Sequence, residues 1–349
     1  MSDSKSLPYI IGCDCDPDRA SFNNRVRTDA LSWDGIYKGI NNFIEKRKLF
    51  SEKNYIKFNI TWFVRSDLQI KYFYSKPGYC LEKFNEIWQK LSDEGDEIAW
   101  HPHLWQTNKD GKWFQEIEND NFILDCLSQG LESYVKFWGE KPKTVHAGWG
   151  FQNNTTMKFF SESSIIADCS AMPGTANLTG NMDKSDWSLT GYSPYMPSKK
   201  NYQIDAKATS DNLNILEVPC SMGQSKKAQF LKNVRDKIKR KTIFNKGNTF
   251  EEQVPLMALL PTINNELIKS SISKTIKNET NYFLSYIHAD ELLYGVNQSG
   301  LHSRMYSMNS LFKNVLLLNN IIKLYDYSPV SMNLVDYASK ILSQNLSLK

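Results

Sequence analysis

IIGCDCDPDR, residues 10–19, decides between two kinds of α/β fold. It opens as an apolar run, and Asp14 and Asp16 alternate with Cys13 and Cys15 at its end. Residues two apart share one face of a strand, so both carboxylates leave the strand together. A dinucleotide-binding sheet needs a glycine-rich turn after its first strand, where backbone meets a pyrophosphate. Here that position reads CDPDR, with no glycine. GWGFQN, residues 148–153, has the GxG spacing but arrives late and continues with the wrong residues, so it reads as a strand-to-helix turn. Two crowded carboxylates repel one another unless a cation neutralises them or one takes up a proton. Asp18, in the following turn, suits an N-cap.

Working outward, six more β-rich runs follow YIIGCD (9–14): FNITWFV (58–64), EIAWH (97–101), TVHAG (144–148), SIIADCS (164–170), NILEVPCS (214–221) and YFLSYIH (282–288). Helical patterns lie between them, among them DALSWDGIYKGINNFIEKRKLF (29–50), EKFNEIWQKLSDEG (82–95) and NDNFILDCLSQGLESYVKFWG (119–139), the last ending at Gly139 as a C-cap. The repeated β-then-α order predicts an α/β fold with a parallel sheet. Each strand ends in chemistry: Asp14 and Asp16, Arg65 and Asp67, His101 and His103, His146, Asp168, Glu217, then His288 and Asp290. An open sheet gathers ligand contacts at one switch point, whereas a barrel brings every strand end to one mouth. The pattern predicts a barrel over residues 1–325, interrupted by loop insertions at about 171–212 and 243–280, with 326–349 as a C-terminal helical extension packed on it. In the first insertion, Trp187, Tyr192 and Tyr195 could offer flat faces to a sugar ring.

Composition narrows the function. Of 349 residues, 41% are hydrophobic, enough for a large core and too many for disorder. No apolar run is long enough for a membrane helix, and MSDSKSLPYI lacks the basic start and apolar stretch of a secretory signal. Six scattered cysteines suggest a reducing cytoplasm rather than a disulfide framework, and no CxxC pair completes a thiolate metal site. The net charge of +4 argues against a nucleic-acid partner. The one basic stretch, KKAQFLKNVRDKIKRKTIFNK (226–246), reads as the solvated face of a helix with Phe230, Leu231, Val234 and Ile238 inward. It leaves peripheral contact with an anionic lipid surface open.

AWHPHLW, residues 99–105, holds two of the five histidines. Pro102 cannot donate a ladder hydrogen bond and so marks a strand end or edge. His101 and His103 then project together at the mouth. One carboxylate and two imidazoles leave a fourth position open on zinc or a similar divalent ion, where a water becomes acidic enough to attack a carbonyl. In YFLSYIHADELL, His288 ends the last strand, placed to act as a general acid from across the mouth.

These motifs, in this order over residues 9–295, resemble the polysaccharide deacetylases (carbohydrate esterase family 4), closest to the branch associated with bacterial surface polysaccharide biosynthesis. CDCDPD stands for the family's paired-aspartate motif, GDEIAWHPH for its histidine motif and YIHADEL for its late histidine; HAGWGFQNNTTMKFF, ADCSA, SPYMPS and ILEVPCS also fit. The resemblance implies a distorted seven-stranded (β/α) barrel of the glycoside hydrolase/deacetylase type. It implies Asp14 as general base, His288 as general acid, and Asp16 and His101 as metal ligands. Three departures stand out. Cys15 separates aspartates that are adjacent in the family. His146 stands where arginine is common. The family's histidines are four apart, but position 105 is Trp, so His103 must serve as the third ligand, or the site is incomplete. Arg65, Trp105, His146, Trp149 and Tyr195 are the expected substrate contacts. The expected activity is removal of an N-acetyl or similar acyl group from a sugar nucleotide or lipid-linked glycan precursor, in polysaccharide or glycolipid synthesis, with zinc as the metal. The alternatives are a catalytically impaired carbohydrate-binding barrel and a metal-dependent hydrolase of a non-sugar amide or ester.

Overall fold

A computed structural model describes residues 5–18, 31–177, 184–223, 254–255, 264–278, 280–293 and 308–347. The basic stretch 226–246 and much of the 243–280 insertion lie outside the described residues.

All seven expected strands form. They are β1 (Ser6–Cys15), β2 (Thr61–Arg65), β3 (Glu97–His101), β4 (Thr144–Val145), β5 (Ala167–Asp168), β6 (Leu216–Glu217) and β7 (Phe283–His288), with β8 (Ser328–Ser331) as an eighth. Their order is β6-β5-β4-β3-β2-β1-β7, every pair parallel, with β8 along the first residues of β1. The curl leaves β6 and β7 unpaired as strands. Ser221, just past β6, bridges them, donating from its N to Leu284 O at 3.0 Å and accepting from Leu284 N at 2.9 Å. The result is a distorted barrel of the deacetylase type.

Alternation along the strands builds two cores, because successive side chains face opposite ways. Ile10, Phe63, Ala99, Leu216 and Leu284 fill the barrel. Ile11, Cys13, Cys15, Trp62, Val64 and Trp100 face outward against the helices. Cys13 and Cys15 therefore pack in the outer core, on the face opposite Asp14, which is why the strand carries small apolar thiols between its carboxylates.

The outer helices keep their expected ends. Asp120–Trp138 begins at Asn119, whose side chain accepts from Phe122 N, and stops at Gly139 in the left-handed region (φ 84°). Within it, Gly130 lets the helix touch the end of β2, since a Cβ there would sit 2.5 Å from Ser66 O. The helix expected at 29–50 instead begins at Asp34 with one π-type stretch, Gly35–Ile40, before the α-helix Asn41–Asn54. Asp18 caps it from a distance, accepting from Asp34 N (3.0 Å) and Gly35 N (2.8 Å). The pattern at 82–95 breaks at Phe84 into Tyr79–Lys83 and Asn85–Asp93.

The N-terminal ends of the strands form the floor. The helix Leu334–Ser347 closes it, placing Leu334, Tyr337 and Ala338 among the inner core residues. Leu334 N donates to Thr61 Oγ1 and Val335 N to Glu97 Oε2. A buried ion pair ties the floor to the outer layer: Arg47 meets both oxygens of Asp96, which also accepts from Trp62 Nε1 and Ile60 N. Trp187 is fully buried, its Nε1 donating to Gly150 O at 2.6 Å, so it is a core residue and not the sugar-facing ring expected of it.

Candidate active site

The strand alternation that turns Ile10 and Gly12 inward also turns Asp14 into the mouth, and Asp16 follows just beyond the strand. Parallel register sets Asp14 beside His288 on β7, and Arg65 on β2 beside His101 on β3. Pro102 ends β3, and the chain then turns into the hairpin Trp105–Thr107 with Trp113–Gln115. That turn brings His103 back beside His101.

Two linked clusters result. In the first, His101 Nε2 lies 3.5 Å from Asp16 Oδ2, His103 Nε2 lies 3.3 Å from Asp16 Oδ1, and the two Nε2 atoms are 3.1 Å apart. In the second, His146 Nδ1 donates to Asp14 Oδ1 at 2.7 Å, and His288 Nε2 lies 3.8 Å from Asp14 Oδ2. His101 joins them: its Nδ1–H donates to His146 O at 2.5 Å, leaving the Nε2 lone pair facing Asp16.

Electrostatics keep both aspartates ionised. Burial pushes the Asp14 carboxyl up, but the imidazoles of His146, His101 and His288 outweigh it and hold the pKa at about 2. Asp16 is held well below the usual carboxylate range, since His103, His101 and Arg65 overcome the effect of burial. Burial and the Arg65 guanidinium push His103 down to about 4, so it is neutral near pH 7. Burial opposes charge on His101 as well, but Asp14 and Asp16 raise it.

The other expected site residues fall behind or beside this centre. Arg65 is buried, and its donors go to Asp16 (2.7 Å), Asp67 (2.5 Å) and Gln69 (2.6 Å). His146 is buried between Phe63, Tyr286 and His101. Tyr195 bridges to Glu217, and its hydroxyl donates to Tyr202 O. Trp105 is buried, with Trp149 edge-on to it. Trp149 is 45% exposed and sits in the left-handed region at φ 60°, a costly conformation for an aromatic residue. Beneath the centre, Asp168 accepts from Gln152 and Ser170, and Glu217 packs against it. Burial raises both carboxyls, and Asp168 pushes Glu217 further up.

Sequence reading missed Gln69 and Gly148. A Cβ on Gly148 would come within 2.2 Å of the His103 ring, so His103 can stand where it does only because 148 is glycine. The signal was present in HAGWG, read only as a turn. Asp67 serves three neighbours: it caps the helix Leu68–Tyr74, pairs with Arg65 and accepts from His103 N.

Asp16, His101 and His103 fit a metal ion by distance. Tetrahedral ligands at ~2.0–2.2 Å from zinc stand about 3.3–3.6 Å apart, and the three edges here are 3.1, 3.3 and 3.5 Å. His101 fits by hydrogen bonding too, since a ligating imidazole donates its other N–H to a carbonyl or carboxylate. In the second grouping, Asp14, His101 and His146, the facing ring nitrogens are already donors, His146 Nδ1 to Asp14 and His101 Nδ1 to His146 O.

No protein-family model and no curated protein matches the chain. Solved structures match it in fold. A candidate polysaccharide deacetylase from Mycobacterium smegmatis aligns over 99% of this chain and 93% of its own, at TM-score 0.54 and 15% identity. A candidate glycoside hydrolase/deacetylase from Parabacteroides distasonis aligns over 96% of this chain and 70% of its own, at TM-score 0.56 and 11% identity. The barrel is therefore the polysaccharide deacetylase fold, and at these identities the likeness speaks to fold alone. Among the described residues no helix is long and apolar enough to cross a membrane.

Proposed function

We propose that the chain is a metal-dependent hydrolase that removes an N-acetyl or similar acyl group from a sugar. The supporting observation is the meeting of Asp14, Asp16, His101, His103 and His288 at one barrel mouth. A divalent ion, zinc by the chemistry of one carboxylate and two imidazoles, would be held by Asp16 and His101, with His103 in reach as a third ligand, and would supply electrophilic pull on the acyl oxygen. Asp14 takes the proton of the attacking water as general base. His146 aims the Asp14 carboxylate and keeps it ionised. His288, across Asp14, protonates the departing nitrogen. Arg65 fixes Asp16 from behind, and Tyr195 stiffens the wall beside Glu217. Trp149, beside Trp105, offers the sugar ring a flat face.

The substrate is a sugar nucleotide or lipid-linked glycan precursor on the cytoplasmic side, used in polysaccharide or glycolipid synthesis. Six free, buried cysteines agree with a reducing compartment. The test is acetate release from a panel of N-acetylated sugars, with metal analysis of the purified chain. Turnover should require a divalent ion and vanish in Asp14→Asn. Turnover that survives His101→Ala in protein free of divalent metal would refute the reading. One observation favours the binding-barrel alternative: the Trp105 indole N–H points at His103, a proposed ligand. Glycan binding by calorimetry that persists in Asp14→Asn, without acetate release from the wild type, would establish that alternative.

A further inference from the structure

Two imidazoles face one another across the mouth, and their outer nitrogens are wired in opposite senses. A neutral imidazole has one N–H and one lone pair, and the partner at one nitrogen decides which is which. His101 Nδ1 faces the His146 carbonyl, an acceptor, so its lone pair is on Nε2. His103 Nδ1 faces Trp105 Nε1 at 2.9 Å. An indole nitrogen only donates. The two rings are parallel to within 8°, and centroids 6.1 Å apart with the nitrogens only 2.9 Å apart set them edge to edge rather than face to face, so the indole N–H meets the in-plane lone pair of Nδ1. The proton of neutral His103 is then on Nε2, the nitrogen that faces Asp16 Oδ1 and His101 Nε2.

We propose that Trp105 keeps His103 out of the metal's ligand set: its indole N–H holds His103 as a hydrogen-bond donor at Nε2, leaving Asp16 and His101 to bind the cation until that bond breaks. This rests on the metal-hydrolase reading of the site. The polar groups already satisfy one another in a single direction, from Trp105 to His103, from His103 to His101, and from His101 to the His146 carbonyl. A cation on His103 must displace the Nε2 proton and turn Nδ1 into a donor facing another donor. The ring has no easy retreat. Gly148 backbone closes one side, Asp67 accepts from His103 N at 3.2 Å, and Cys126 Sγ donates to His103 O at 3.3 Å. A ring flip would set a carbon against the indole N–H and lose the bond. Trp105 is thus a positioning residue that weakens the third corner and makes the cation exchangeable.

The test is zinc affinity of the full chain, read by competition with a chromophoric chelator. Trp105→Phe keeps a flat ring and removes the N–H. It should bind zinc about 10–100-fold more tightly, the usual size of a change in the partner of a ligating histidine. Adding His103→Ala to Trp105→Phe should cancel the gain. His101→Ala should abolish tight binding in every background. A second measurement needs no variant: nitrogen shifts of histidine-labelled wild-type protein should show His103 protonated at Nε2. Unchanged or weaker zinc binding in Trp105→Phe, a gain that survives His103→Ala in the Trp105→Phe background, or a His103 proton on Nδ1 overturns the inference. If His101→Ala weakens zinc binding but Trp105→Phe does nothing, only the role of Trp105 falls; indifference to His101→Ala removes the metal site with it.

Discussion

Replacing Glu97 with glutamine should remove a pH dependence from the stability of this protein. Glu97 opens β3 at the barrel floor, buried, and accepts from Thr61 Oγ1 (3.0 Å), Thr144 Oγ1 (2.5 Å) and Val335 N (3.0 Å). Burial raises its pKa from 4.5 to about 7; the three hydrogen bonds pull the other way without cancelling it. The unfolded chain ionises Glu97 near 4.5 and the folded chain near 7, so between those values folding takes up a proton. Stability therefore falls as pH rises through that window and levels off above it. The gap corresponds to about 3 kcal/mol at 1.36 kcal/mol per unit. Glutamine keeps a carbonyl for Val335 N and presents an amide donor to Thr144, with no charge to desolvate. The assay is urea unfolding of wild type and Glu97→Gln from about pH 5 to about pH 8. The two should be close at the acid end, and the variant should gain up to ~3 kcal/mol on the wild type at the alkaline end. Stability curves that run parallel across the range would show that the folded chain ionises Glu97 normally, and the reasoning fails.

Three further substitutions probe the scaffold. Gly148→Ala puts a Cβ about an ångström inside normal contact with the His103 ring, and overpacking of this kind should cost about 1–3 kcal/mol in chemical denaturation, with no loss if the ring has room to move. Arg47→Ala strips Asp96 of its buried partner and should cost about 3–5 kcal/mol by the same assay. Asp67→Ala loses both a helix cap and the carboxylate paired with Arg65, whereas Asp67→Asn loses the charge but keeps the cap; the alanine variant should unfold more readily than the asparagine one by about 0.5–2 kcal/mol, the worth of a cap, and equal melting points would contradict that division.

The strands were legible because a parallel barrel buries both faces, so each strand is a short apolar run, and because the mouth collects chemistry at each end. Strand geometry sent the carboxylates of Asp14 and Asp16 and the imidazoles of His101 and His103 toward one mouth; the choice of Asp16 and His101 as ligands came from the family resemblance. Other features depend on distant partners. β8 is four residues containing Pro329, tolerable at an edge and invisible as a pattern, and it forms because β1 offers free ladder groups there. Asp18 reads as an N-cap, but the helix start it serves, at Asp34 and Gly35, lies sixteen residues on, beyond any local capping pattern. Trp187 reads as a surface aromatic in a polar loop until Gly150 O takes its N–H. The bond from Trp105 to His103 exists only because the chain reverses after Pro102, which no local pattern encodes.

The strand that carries Asp14 and leads into Asp16 has neighbours made far apart in time. β2 follows it closely, but β7 and β8, which pair with the rest of β1, come more than 250 residues later. At ~5–20 residues per second, a nascent β1 waits tens of seconds for them. The centre cannot mature in step with translation, and until β7 emerges the strand bearing Asp14 presents an open edge. Such an edge can pair with other chains, so yield should respond to chaperone supply and to translation speed.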